Sequence, residues 1–115
     1  MSRPVVLYDG GCRFCRFAAR MIEWLDLRCR FAFLPLQDDE ATPLLAGVPD
    51  AQRLSALRLA EPGGRLRTGT DAARAILECF NFPSPGIARA YPFVARRRGV
   101  LGRFVPDRPG PRRFP

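Results

Sequence analysis

The hydrophobic rhythm of the chain changes several times, and each change predicts an element. Val5-Val6-Leu7-Tyr8 is a continuous apolar run closed by Asp9-Gly10-Gly11, the pattern of a buried strand ending in a turn. From Phe14 the apolar positions are Phe14, Phe17, Ala18, Met21, Ile22 and Leu25. That is the spacing of one helical face, with Arg13, Arg16, Arg20 and Glu23 lying off it, and it predicts a helix over about 12–25. Arg30 to Leu34 reads as a second strand with Phe31 and Phe33 on one face, stopped by Pro35. A strand, a helix and a strand of these lengths form a right-handed parallel βαβ unit.

Beyond it, Asp38, Asp39, Glu40 and Thr42-Pro43 form an acidic turn, and Leu44, Leu45 and Leu54 fall in a short region of helical character. Ala56 to Ala60 alternates as a half-exposed strand does. Glu61-Pro62-Gly63-Gly64 is a turn, and Arg65-Leu66-Arg67 begins the return strand of a hairpin. Thr70 is the expected N-cap of a second helix, with Asp71 in its first turn and Ala72, Ala73, Ile76, Leu77 and Phe80 along its face. Pro83-Ser84-Pro85-Gly86 breaks that helix, and the helical pattern of 87–98 is interrupted at Pro92. Residues 96–115 hold seven arginines against one acid, Asp107, and four prolines. The expectation is a folded domain over 1–98 and a poorly ordered tail over 99–115. The order is α/β: β-α-β, a short helical link, a β-hairpin and C-terminal helices, a thioredoxin-like arrangement.

Composition narrows the chemistry. The 115 residues suit one domain and one modest core. There is no histidine, which excludes Ser-His-Asp triads, Cys-His dyads and histidine-containing metal sites. All 19 basic residues are arginine, so lysine Schiff-base chemistry and a P-loop lysine are excluded too. The start, Met1-Ser2-Arg3-Pro4, lacks an apolar run of signal-peptide length. The expected location is therefore the cytoplasm, where four cysteines argue for redox or metal chemistry rather than a disulfide framework. The net charge of +8 raises nucleic acid or an anionic membrane surface as partners, but an arginine-for-lysine bias offers a non-functional cause.

The chemistry converges on Cys12-Arg13-Phe14-Cys15, a Cys-x-x-Cys at a strand-to-helix turn. Thiols three apart at a helix start are neighbours, with Cα atoms about 5–6 Å apart and within disulfide range. Cys12 is expected to be the more exposed, at the end where unpaired backbone N–H groups favour a thiolate by about 0.3–1 kcal/mol. Cys15 lies a turn deeper, able to donate its S–H to that thiolate. Arg13 adds a positive neighbour. Gly10 and Gly11 let the backbone approach the helix start. Asp9 has two readings: it holds the turn by accepting backbone N–H groups, the favoured one, or it exchanges protons as the disulfide opens. Cys29 and Cys79 are expected to be inert core residues. Fifty positions separate them, which disfavours a four-cysteine zinc site.

These residues resemble a known family. Tyr8-Asp9-Gly10-Gly11-Cys12-Arg13-Phe14-Cys15 is similar to the D-G-x-C-x-x-C signature of the DCC-type thiol-disulfide oxidoreductases (DUF393), which are thioredoxin-like. Phe31 to Gln37 resembles that family's second strand and its P-L-Q, and Gly69-Thr70-Asp71-Ala72-Ala73 its G-S-D-A helix start. Tyr91 to Arg98 resembles its Y-x-x-V-A-x-N-R segment, with Arg97 where Asn is frequent. The resemblance implies a redox pair at Cys12 and Cys15 and a signature acid at Asp9, supported by Tyr8, Gly10, Gly11 and Arg13. It implies no bound cofactor and supplies no substrate. Leu54-Ser55 precedes the third strand where thioredoxin itself has a cis-proline, which argues against general protein-disulfide reduction.

The expected function is thus thiol-disulfide exchange on a disulfide-containing protein or a small thiol, with glutathione or a protein reductase restoring the dithiol. Two competitors stand beside it: a non-catalytic thioredoxin-like binding module using the basic C-terminal segment, and thiol-based metal handling.

Overall fold

The computed structural model describes residues 3–54, 56–81 and 84–114. Strand β1 (Val5–Tyr8) leads through the glycine turn into helix α1 (Arg13–Leu25), and strand β2 (Ala32–Pro35) follows. Three short 3-10 turns, at Asp39–Ala41, Pro43–Leu45 and Asp50–Gln52, connect it to the hairpin of β3 (Arg58–Ala60) and β4 (Leu66–Thr68). Three helices close the fold: α2 (Thr70–Glu78), α3 (Ser84–Arg96) and the single turn α4 (Arg98–Leu101). The sheet order is β2-β1-β3-β4. β1 runs parallel to β2, with Val6 opposite Phe33, and antiparallel to β3, with Val6 opposite Leu59. This is the mixed α/β, thioredoxin-like arrangement that the sequence predicts.

The two-residue period of β1 divides the interior in two. Val6 and Tyr8 join Phe31, Phe33 and Leu59 beneath Ala19 and Ile22 of α1 and Ala72 and Ile76 of α2. Val5 and Leu7 face the opposite side with Ala32, Leu34, Leu36 and the 3-10 residues Ala41 and Leu45. Full burial of one such aliphatic or aromatic side chain stabilises by about 1.5–3 kcal/mol, so β1, buried on both faces, is the strand around which both layers form.

Several expectations are corrected. β3 is not half-exposed: Arg58, Leu59 and Ala60 are all buried, because β3 is a central strand rather than an edge. Arg58 survives burial by donating to Thr68 Oγ1 at 3.0 Å and to the Gln52 carbonyl at 2.6 Å. The N-cap of α2 is Gly69, whose φ of +61° suits glycine, and Thr70 is already helical. Pro92 does not interrupt α3, since it lies on the exposed face, where water can meet the carbonyl its missing N–H leaves unpaired. The helix breaks instead at Arg97. Pro83, in the expected break after α2, lies outside the described residues. On α1 the buried positions are Ala19 and Ile22, while Met21 and Leu25 are exposed. Cys29 and Cys79 are exposed rather than core residues.

The segment beyond α4, part of the stretch whose composition reads as a poorly ordered tail, makes specific contacts. A 3-10 turn at Gly102–Phe104 follows α4, and the extended chain then crosses α1 to reach the β2 edge. Arg16 pairs with Asp107 at 2.5 Å, and Arg20 donates to the Pro109 carbonyl at 2.8 Å. Arg112 meets Asp38 at 2.8 Å and Glu40 at 3.0 Å. Arg113 exchanges two backbone hydrogen bonds with Phe33, at 2.7 and 2.9 Å, and reaches the buried Asp26 at 2.7 Å. Composition alone hides these partners, because they lie 70 to 90 positions upstream, and prolines lower the entropy lost in ordering an extended chain.

Tyr8 ties this segment to the core. Its hydroxyl donates to the buried Pro111 carbonyl at 2.6 Å, and burial pushes its pKa up to about 12, so the proton stays available. Gly110 passes so close to the ring that a Cβ there would lie 2.6 Å from Tyr8 Cζ. Tyr8→Phe leaves the carbonyl unpaired, so stability in a urea titration should fall by about 1–3 kcal/mol. No loss would show that the strap is not held by this bond.

Candidate functional site

The site is built where β1 hands over to α1. The first N–H groups of a helix have no partner within it and need an acceptor. Cys12 is the N-cap, with extended backbone (φ −105°, ψ 119°), and its Sγ accepts the Cys15 N–H at 3.3 Å. A thiol thus takes the position that Ser, Thr, Asp or Asn more often fills. The same geometry brings the two sulfurs together, and both are free, half-buried thiols. The Cys15 S–H bonds to Cys12, and burial first, then that bond and the Cys12 charge, push the Cys15 pKa up to about 12. Cys15 is therefore a protonated thiol at neutral pH, held against its neighbour.

The turn that presents Cys12 is clasped from two strands. Asp9 Oδ1 accepts the Gly11 N–H at 2.9 Å and the Gln37 side-chain N–H at 2.7 Å. Gln37 Oε1 in turn accepts the Gly10 N–H at 2.9 Å. A Cβ on Gly10 would stand 3.0 Å from Pro35 Cβ, so any larger residue here would have to push Pro35 aside. These contacts match the turn-holding reading of Asp9. Gln37, just after β2, is a partner that the sequence reading quoted only as part of a resemblance.

Arg13 is not the cation at the sulfurs. It donates to the Gly102 carbonyl at 3.4 Å and lies 3.5 Å from Asp107. The guanidinium beside the thiols belongs to Arg98, whose Nη1 is 3.5 Å from Cys15 Sγ and whose Nη2 is 3.9 Å from Asp9 Oδ2. It opposes the rise in the Cys15 pKa without cancelling it. Gly102, at the end of α4, packs on the start of α1, where a Cβ would stand 3.4 Å from the Phe14 nitrogen.

Cys15, Arg98, Tyr91, Phe14 and Leu57 line a pocket of about 200 Å³. Tyr91 is half-buried, and its pKa is raised by burial against a hydrogen bond from the Leu57 backbone. An apolar groove of about 550 Å³ adjoins this pocket, floored by α1 and walled by α2 and α3. Tyr91 and Arg98 are the first and last residues of the segment resembling Y-x-x-V-A-x-N-R, so that pattern held the missed site residues. Among the described residues, no three Cys, Asp or Glu side chains cluster as metal ligands would, and no helix is long and apolar enough to cross a membrane.

Comparison with protein families matches residues 6–104 to the DCC1-like thiol-disulfide oxidoreductase family. No curated protein and no solved structure matches the chain. The match spans most of the sequence and includes both thiols, Asp9 and the helices that bring Arg98 to them; the chain belongs to this family.

The raised Cys15 pKa has a direct consequence for labelling. At pH 8 a thiol with a pKa near 12 has about three orders of magnitude less thiolate than an ordinary one. In reduced protein whose Cys12 is still unmodified, Cys15 should resist iodoacetamide from pH 7 to 9, with a rate rising about tenfold per pH unit, read by mass spectrometry as the adduct on Cys15 alone. A plateau below pH 9 would mean that Cys15 is not the buried, protonated partner.

Proposed function

We propose that the chain reduces disulfides by thiol-disulfide exchange, with Cys12 as the attacking thiolate and Cys15 as the resolving thiol. The observation that carries this reading is the pairing of a helix-capping sulfur at the rim with a protonated thiol bonded to it from within. In the first step Cys12 attacks one sulfur of the substrate disulfide. A Cys12–substrate bond forms, the substrate S–S bond breaks, and the departing thiolate takes a proton from solvent. In the second step Cys15 loses its proton and attacks Cys12 Sγ. The second substrate sulfur leaves as a thiolate and takes up that proton, so the substrate has gained two electrons and the pair is left oxidised as the Cys12–Cys15 disulfide. A protein dithiol reductase, or two equivalents of the monothiol glutathione acting through a mixed disulfide and leaving as glutathione disulfide, restores the pair, as a reducing cytoplasm would supply.

The groups around Cys15 make the second step conditional on the first. While Cys12 carries charge, it holds the Cys15 proton by hydrogen bond and by repulsion between two thiolates. Once Cys12 is neutral in a mixed disulfide, both effects vanish. Arg98 then remains to stabilise the developing Cys15 thiolate. Asp9 serves by holding the turn and fixing Arg98 from its far side. Tyr8, Gly10 and Gly11 act as supports of the same turn. Arg13 belongs to the rim that faces arriving substrate.

The binding-module alternative loses ground because much of the basic segment is already used internally. Arg98, Arg112 and Arg113 face Asp9, Asp38, Glu40 and Asp26, and Arg97 stacks over Phe93 at 3.9 Å.

Differential alkylation across a glutathione redox series tests the proposal. The wild type should form a reversible Cys12–Cys15 disulfide, and Cys12→Ser should lower disulfide reduction by about a thousandfold or more. Cys15→Ser should accumulate a mixed disulfide on Cys12. Arg98→Met should slow resolution by about tenfold, equivalent to one pKa unit at Cys15, so that mixed disulfide builds up there too. A pair that never links under oxidising glutathione would overturn the mechanism.

A further inference from the structure

Cys12 does not open onto neutral surface. It stands in the wall of an open cleft of about 450 Å³, which shares Arg98 and Asp9 with the apolar pocket that Cys15 lines. Three arginines line this cleft, Arg13, Arg98 and Arg103, against a single acidic residue, Asp9. That carboxylate is engaged: Oδ1 by Gly11 and Gln37, Oδ2 by Arg98. The nearest further acid, Asp107, is shared between Arg13 and Arg16. Arg103 is exposed and has no ion pair among the described residues. Gly99 and Gly102 form the remaining wall, and a Cβ on Gly99 would meet nothing within 4 Å. The space above Cys12 is thus concave, uncrowded and positive.

We propose that the disulfide received at Cys12 is a small anionic one, a peptide-sized disulfide carrying carboxylates. This rests on the thiol-exchange reading and names the substrate class of that same site. The exchange itself forms the bond between Cys12 Sγ and one substrate sulfur and expels the other half as an anionic thiolate. A thiolate attacking an anionic disulfide brings like charges together, and the guanidiniums offset that repulsion as the reactants meet. They also raise the local concentration of the anion, with a reach of about one Debye length, roughly 8 Å at physiological salt. The concavity favours a compact substrate over a flat protein surface.

The test compares three disulfides of different charge on the reduced 115-residue chain, with salt and charge-reversal variants separating charge from size. Glutathione disulfide is anionic, 2-hydroxyethyl disulfide neutral and cystamine cationic. Initial rates of Cys12–Cys15 oxidation are measured by acid quench, alkylation and mass spectrometry, each divided by the rate of the same disulfide with free 2-mercaptoethanol. At low salt the corrected rate with glutathione disulfide should exceed that with cystamine by about tenfold or more, and the gap should close toward unity at 0.5 M salt. Arg103→Glu should cut the glutathione disulfide rate by about three- to tenfold and raise the cystamine rate. Gly99→Glu should shift the ratio the same way while removing no existing side chain, which keeps the test valid if the first variant folds poorly. Equal corrected rates for all three disulfides, or a ratio that ignores both variants and salt, would overturn the proposal while leaving thiol exchange standing. Failure to react with any of the three would overturn the thiol-exchange reading itself.

Discussion

A helix cannot begin without something to accept its first N–H groups, and here that acceptor is a sulfur. Cys12 is fixed by this requirement more than by any packing of its own. The bond from the Cys15 N–H sets where Cys12 Sγ points, and the helix that supplies that N–H also supplies the second thiol three residues on. The cap and the redox pair are therefore one construction. Its outer support is the clasp of Asp9 and Gln37 on the glycine turn, which depends on β1 and β2 lying in parallel register, Tyr8 opposite Pro35. The two hydrophobic layers that bury β1 on both faces thus reach the thiols through a short chain of directed hydrogen bonds.

A second dependency runs through the C-terminal half. α3 and α4 carry Tyr91 and Arg98 to the pocket that Cys15 lines, and Gly102 packs α4 against the start of α1. Arg98 is shared by two environments, an apolar pocket continuous with the groove between α1 and α3 and the arginine-lined cleft. Of two half-buried thiols bonded to one another, only Cys15 has the guanidinium against its sulfur, so position alone differentiates two chemically identical side chains.

The parts of this fold legible in the sequence were those governed by local rules. The apolar run of β1, the glycine turn, the three-four spacing of α1 and the hairpin turn at Pro62-Gly63-Gly64 each have short-range causes, and each forms as expected. The Cys-x-x-Cys and Asp9 were legible for the same reason. The role of Arg98 was not, because the pattern that ends on it marks its position but not its partner, Cys15, 83 positions away. Gln37 was hidden likewise, 28 positions from Asp9. The exposure of Met21 and Leu25 could not be read from helical periodicity either, since periodicity gives a face but not how far its cover extends.

The hydrogen bonds between Arg113 and Phe33 also bear on how the molecule meets its own copies. An unpaired sheet edge is a template on which another chain can add a strand. β2 would be such an edge, carrying the apolar sequence Ala-Phe-Leu-Pro. At its centre, both backbone groups of Phe33 that point outward are already taken by the returning chain, and the Arg113 guanidinium lies 5.2 Å from the Phe33 ring. The opposite edge, β4, is three residues long, carries Arg67 and Thr68, and starts from a Gly-Gly turn, too short and too polar to nucleate pairing. The C-terminal segment thereby gives the sheet protection against edge-to-edge aggregation.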